Sequence, residues 1–115
     1  MKEGNVVLAA VSQVDEQTKI RPVVVLRELP PYRDVLDCGV STKIHHGVPS
    51  FDEVISPSDN DFAASGLVAK SLIRLAFLSV VSRKSIAGVI GSISRERHKR
   101  LLETLSQYLI SSPFV

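Results

Sequence analysis

Residues 22–26 read Pro-Val-Val-Val-Leu, a proline followed by four aliphatic residues with no polar break. Successive side chains of a strand point to opposite faces, so a continuous apolar run is a strand that must be covered on both sides. The three valines are β-branched and suit a pleated strand better than a helix. Proline cannot donate to a ladder, which places Pro22 at the first position of the strand. Any fold for this chain must therefore supply two apolar layers around this segment. The chain has 115 residues, 44% of them hydrophobic. A single domain over residues 1–115 of that size buries roughly two thirds of its unfolded surface.

The flanking segments read as further short strands. Gly4–Val11 is rich in Val and Ala, and SQVDEQTK (12–19) is a polar connection longer than a tight hairpin turn. Pro30-Pro31 makes a rigid turn. Asp34–Ser41, DVLDCGVS, alternates Val35, Asp37 and Gly39 against Leu36, Cys38 and Val40. Gly39 marks a bulge or a close approach by another group. A loop-rich region follows, with a short strand at Asp52–Ile55. Leu67–Val81 fits a long bent strand or a helix; Val80, Val81 and the break at Ser82-Arg83 favour the strand. Ser85–Gly91 is a last short strand.

One helix is expected, at the end. Ser94 is a good N-cap and Glu96 sits in the first turn, where the helix dipole favours an acid. Leu101, Leu102, Leu105, Tyr108 and Leu109 form an apolar stripe, with Arg95, Arg97, Lys99 and Arg100 mostly off it. Pro113 stops the helix. The fold class is mainly β with a C-terminal helix (α+β): a small, strongly bent sheet or barrel closed by that helix.

Charge and composition narrow the function classes. The net charge is only +2, but residues 83–100 carry six of the cations while residues 50–61 carry four carboxylates and no cation. That predicts a polarised surface with an anionic partner on one side. Aromatic residues are 5% and Trp is absent, which argues against an aromatic platform for stacking bases. Cys38 stands alone, so no intramolecular disulfide forms, and its aliphatic neighbours predict an inert thiol. The N-terminal apolar run is too short for a signal peptide and no stretch has transmembrane length, so a cytoplasmic protein with no membrane partner is expected. His45 and His46 have no third ligand at a useful spacing, so neither a metal site nor another cofactor is expected.

The ordered set GNVVLAAV, KIRPVVVL, VLDCGVSTK, SLIRLAFLSVVSRKSIAGVIGSIS and RERHKRLLETLSQYL resembles the MazF/PemK toxins of bacterial type II toxin–antitoxin systems. The likeness runs over nearly the whole chain. It implies an SH3-like barrel with added helices, a homodimer, and metal-independent endoribonuclease activity on single-stranded RNA. It also implies a cognate antitoxin as partner. Arg21, just before Pro22, then stabilises the phosphorane charge through its fork of donors. The family's active-site hydroxyl corresponds to Ser41, or to Thr42 one residue on. RNA contacts fall to Lys19, Lys43, His45, His46, Ser79, Arg83 and Lys84. Many members carry a Gln-x-Arg-Thr set on the later strand; the stretch read as its counterpart, Ala76-Phe77-Leu78-Ser79, is apolar except for Ser79. His45 and His46 suit acid–base chemistry near neutral pH, or simple contact with phosphate or solvent. The same fold also serves binding proteins that cut nothing, such as CcdB-like gyrase poisons or modules that bind RNA or antitoxin, and this is the alternative reading.

Overall fold

A computed structural model describes residues 1–12 and 18–111. Its elements are β1 (Asn5–Ser12), β2 (Thr18–Leu29), β3 (Asp34–Ser41), β4 (Glu53–Ile55), α1 (Phe62–Ser65), β5 (Ser71–Val81), β6 (Ile86–Ser92) and α2 (Arg95–Ile110). Single 3-10 turns occupy Ile44–His46 and Arg83–Ser85. All six strands join one antiparallel sheet in the order β4-β5-β3-β2-β1-β6. The long segment ending at Val81 is thus a strand.

The register shows why this sheet coils. Val81 pairs with Val35, and Val35 with Glu28; Ile86 pairs with Ala9, and Ala9 with Arg21. On a flat sheet Val81 and Ile86 would lie four strand spacings apart, about 19 Å, and seven residues apart along the strands, about another 23 Å. Five residues of chain reach at most about 18 Å, and the Arg83–Ser85 turn shortens that. The link closes only because the sheet curls until its two flanks meet. Register shifts at Val25/Arg27, at Cys38/Gly39 and twice along β1 supply the local bends. The curl stops short of a closed barrel, since β4 and β6 remain unpaired edges.

Both faces of β2 are buried, as the Val23–Leu26 run requires. Val24 and Leu26 join Val6, Cys38, Val40, Ile73, Leu75, Leu101 and Leu105 on the face that α2 covers. Val23 and Val25 join Val7, Ala9, Val11 and Val35 on the other, closed over by Met1, Val81 and Ile86. Pro22 lies inside β2, opposite Leu8, and not at its start. It is tolerated because β3 pairs with β2 only from Val23 onward, so the first part of β2 is hydrogen-bonded on one side alone. Of the predicted connection 12–19, residues 13–17 lie outside the described residues, and Thr18 and Lys19 already belong to β2.

Helix α2 begins as expected, with the Ser94 hydroxyl oxygen accepting the Arg97 N–H (3.1 Å). Leu101 and Leu105 are buried, whereas Tyr108, Leu109 and Ile110 are exposed. The helix ends at Ile110; Pro113 lies outside the described residues. One surface residue of the sequence reading is a buried one. Arg97 is 6% exposed and holds Asp61, Asp59 and Glu53 at 2.8–3.0 Å. Arg100 pairs with Glu53 as well, at 2.8 Å. Glu53, Asp59 and Asp61 of the acidic segment therefore pair with Arg97 and Arg100 of the basic one, which lessens the expected polarity of the surface.

Candidate functional site: a cationic cleft at the ends of three strands

The face of the sheet that carries Val23, Val25 and Val35 changes character toward one end. By alternation the next residues of β2 on that face are Arg21 and Lys19, and those of β3 are Asp37, Gly39 and Ser41. There the side chains turn from aliphatic to polar, and a cleft of about 240 Å³ opens. Arg21, Val23, Gly39 and Ser41 form its floor; Lys43 and His46 come from the loop after β3, and Arg74 and Phe77 from β5. Three permanent cations and a histidine thus face one space. No carboxylate lines it among the described residues.

Each of these side chains is placed by backbone geometry. Arg21 sits opposite Ala9 in the one-sided stretch of β2 before Pro22, and it is exposed. Ser41 is the last residue of β3, and its Oγ accepts the Lys43 N–H at 3.0 Å. That bond is a local serine turn. It occupies a lone pair and leaves the hydroxyl proton free to be donated. Thr42 is exposed and does not line the cleft, so the hydroxyl that faces it is Ser41.

Arg74 is the residue that the sequence reading passed over. It sits between Ile73 and Leu75, both buried in the α2-side core, so alternation turns it to the cleft. It pairs with Gly39 just where the register of β3 and β5 slips. Its Nε is buried without a hydrogen-bond partner, and its guanidinium lies 5.9 Å from the centroid of Phe77. A buried, unbonded donor on a permanent cation is costly unless an anion arrives. The signal was a lone cation in an apolar run. Phe77 in turn packs on Gly39: a Cβ at residue 39 would stand 3.0 Å from the ring. The bulge and the close approach predicted from that glycine are both present.

The other predicted contacts divide. Lys19 is exposed two residues before Arg21 and shares its face of β2. Lys43 and His46 line the cleft and His45 stands beside it; both histidines are exposed, their rings edge-on at 4.3 Å between centroids. Ser79, Arg83 and Lys84 do not line it. The Ser79 hydroxyl donates to Asp37 Oδ1 (2.9 Å), and Arg83 pairs with Glu28. Arg83 thus has an acidic partner outside the cleft.

Proton affinities follow from these positions. Burial pushes the Asp37 carboxyl up to about 6, only partly offset by the Ser79 hydrogen bond; its Oδ2 has no partner. Burial, reinforced by the neighbouring Asp37 charge, raises the Cys38 thiol far above its ordinary value, so this fully buried cysteine is inert. Desolvation first, then His45, Arg74 and Lys43, hold His46 below the ordinary imidazole value. Among the described residues no three His, Cys, Asp or Glu side chains come together as a metal site. No helix is long and apolar enough to cross a membrane.

A coiled antiparallel sheet, a single covering helix and a cleft lined by cations from three strands and a loop define a small α+β protein. Residues 2–109 match the PemK-like, MazF-like toxins of type II toxin-antitoxin systems, and the chain belongs to that family. Among solved structures, the Mycobacterium tuberculosis toxin MazF-mt6 is similar, with a TM-score of 0.68 and 18% identity over 91% of this chain and 95% of that one. An endoribonuclease in complex with its cognate antitoxin, from a mycobacterial species, is similar with a TM-score of 0.70 and 12% identity over 98% and 99%. At such identities the likeness is one of fold. None of the curated proteins matches this chain in sequence.

Proposed function

We propose that this toxin is an endoribonuclease that cuts single-stranded RNA by attack of a ribose 2′-hydroxyl on the adjacent phosphorus. The observation that carries the reading is the convergence of Arg21, Lys43 and Arg74 with the Ser41 hydroxyl on one cleft whose described lining has no carboxylate. A phosphodiester passing to a phosphorane gains negative charge on its oxygens. Donors fixed in place before the reaction stabilise that charge without reorganising. Arg21 offers two parallel N–H groups and keeps its charge at every relevant pH. Pro22 fixes the backbone beside it. Ser41 donates its free proton to a phosphate oxygen. Arg74 gains in the bound anion the partner that its Nε lacks. Cytoplasmic mRNA is the proposed substrate pool, and none of these steps calls on a metal ion.

The same cleft suits an acidic segment of a cognate antitoxin, which would cover the cations and exclude RNA. The likeness to a structure described as an endoribonuclease with its cognate antitoxin supports that partner. A homodimer is proposed as well. Ile73 and Leu75 are used in the core, but Phe77, Leu78 and Val80 are 40–57% exposed.

The test is a long RNA incubated with purified protein in EDTA, with the new ends mapped by primer extension. The wild type should cut at discrete positions. Arg21→Ala should lose a hundredfold or more in rate while keeping its melting temperature, and Arg21→Lys should fail nearly as badly because an ammonium has no fork. A folded Arg21→Ala protein that cuts at the wild-type rate would make the arginine a strand residue only. Gyrase-dependent DNA breaks with RNA left intact would replace the nuclease reading by the poison reading.

A further inference from the structure

We propose that His46 is the general base of this reaction, its imidazole taking the proton of the attacking 2′-hydroxyl. The inference rests on the nuclease reading and adds the group that reading lacks. Cleavage needs a proton acceptor as well as charge stabilisation. Arg21, Lys43 and Arg74 are cations and accept nothing. The Ser41 oxygen already holds the Lys43 N–H and is a weak base. Among the described residues that line the cleft, His46 is the one side chain with a lone pair of suitable basicity.

Its position is built. His46 closes a 3-10 turn in which its N–H donates to the Lys43 carbonyl (3.0 Å) and the Gly47 N–H to the Ile44 carbonyl (3.0 Å). Gly47 packs so closely on β5 that a Cβ there would stand 3.0 Å from Leu72 Cδ1. The turn is thereby seated against the strand that carries Arg74.

The charged surroundings agree with the role. Lys43 and His45 face the ring from its own loop, Arg21 borders the cleft from β2, and Arg74 from β5. Asp52, the nearest carboxylate along the chain, spends its oxygens on the Val48 and Ala76 N–H groups. Cations without a carboxylate disfavour imidazolium, so the ring is neutral and ready to accept at neutral pH.

The step balances. The 2′-O–H proton passes to an imidazole nitrogen, the 2′-oxygen bonds to phosphorus, and the P–O5′ bond breaks. The products are a 2′,3′-cyclic phosphate and a 5′-hydroxyl. The 5′-oxygen takes its proton from solvent water, and the imidazolium returns one to solvent.

Single-turnover cleavage of a short RNA, followed from pH 5 to 8, tests this. The wild-type rate should rise with pH and level off below the ordinary imidazole value. His46→Ala and His46→Gln should each lose about 10²- to 10⁴-fold and lose that rising limb, and added imidazole should restore part of the His46→Ala rate. If His46 only holds phosphate as a cation, the wild-type rate would fall as pH rises and the variants would suffer in KM; that result overturns the proposal. So does a folded His46→Gln protein that cuts as fast as the wild type. Should the wild type leave RNA intact at every pH, the nuclease reading itself fails, and this inference with it.

Discussion

Replacing Arg97 by methionine tests the strongest structural device in the chain. The guanidinium sends Nε and Nη2 to Asp61 (2.8 and 3.2 Å), Nη1 to Glu53 (3.0 Å) and the Val54 carbonyl (3.3 Å), and Nη2 to Asp59 (3.0 Å). Asp61 is 5% exposed and also accepts the Ser94 N–H (3.0 Å), so the pair ties the loop before α1 to the start of α2. Methionine keeps the apolar stem and removes the charge. Glu53 retains Arg100 and Asp59 is partly solvated, but Asp61 is left as a buried charge without its partner. Removing one member of such a pair costs about 3–5 kcal/mol. For a chain of this size that is roughly 12–20 °C in Tm, and a large share of a total stability of about 5–15 kcal/mol.

The pH dependence adds a second reading of the same variant. Burial alone would raise Asp61, but the Arg97 and Ser94 hydrogen bonds and the Arg97 charge outweigh it and hold the carboxyl below its ordinary value. A carboxyl depressed in the folded state contributes stability above its unfolded value of about 3.9 and loses it as pH falls through the folded value. In Arg97→Met the sign reverses, because a lone buried carboxyl is raised and protonation then favours the fold. The gap between the two proteins should therefore narrow from pH 7 toward pH 4 in urea titrations followed by circular dichroism. Arg97→Met/Asp61→Asn should recover much of the loss. A single variant within about 1 kcal/mol of wild type at pH 7, or a gap that widens on acidification, would refute the reasoning.

Asp37→Asn should stabilise the protein at pH 7. The folded carboxyl titrates near 6, so stability falls as pH rises from about 4 to 6, by on the order of 3 kcal/mol at most. Thermal melts at pH 4.5 and 7 should show the benefit only at the higher pH. Ser41→Ala should slow RNA cleavage about tenfold, less than Arg21→Ala, since it removes one neutral donor, while Thr42→Ala should leave the rate near wild type; the reverse order would shift the active-site hydroxyl by one residue. With Arg21, Lys43 and Arg74 on the phosphates, log K for single-stranded RNA should fall against log salt with a slope of about −2, and a flat dependence would mean the partner is not RNA. Light scattering at micromolar concentration should give a dimer, and a monomer there would remove the proposed apolar interface.

How much could be read from the chain alone follows the range of each interaction. A run such as Val23–Leu26 states its own burial on two faces, because strand alternation is a property of consecutive residues. Ser94 before a leucine stripe likewise announces α2, and Gly39 announces a close approach even when the neighbour, Phe77, is unknown. Those features were legible because their physics acts within a few residues. Pro22 lies inside β2 and not at its start because a proline within a strand is excluded only if its N–H side is paired, and pairing is set by how far β3 runs. Arg97 is buried although nothing near it in sequence shows Asp61, Asp59 and Glu53 arriving from some forty residues away. Arg74 looked like an interruption in a core strand. Only the register slip opposite Gly39, and the coil that brings β2, β3 and β5 to one end, turn it into the cleft beside Arg21, Ser41 and His46. Local propensity specified the pieces; the cleft exists only where strands distant in sequence end together, and that placement is a tertiary decision.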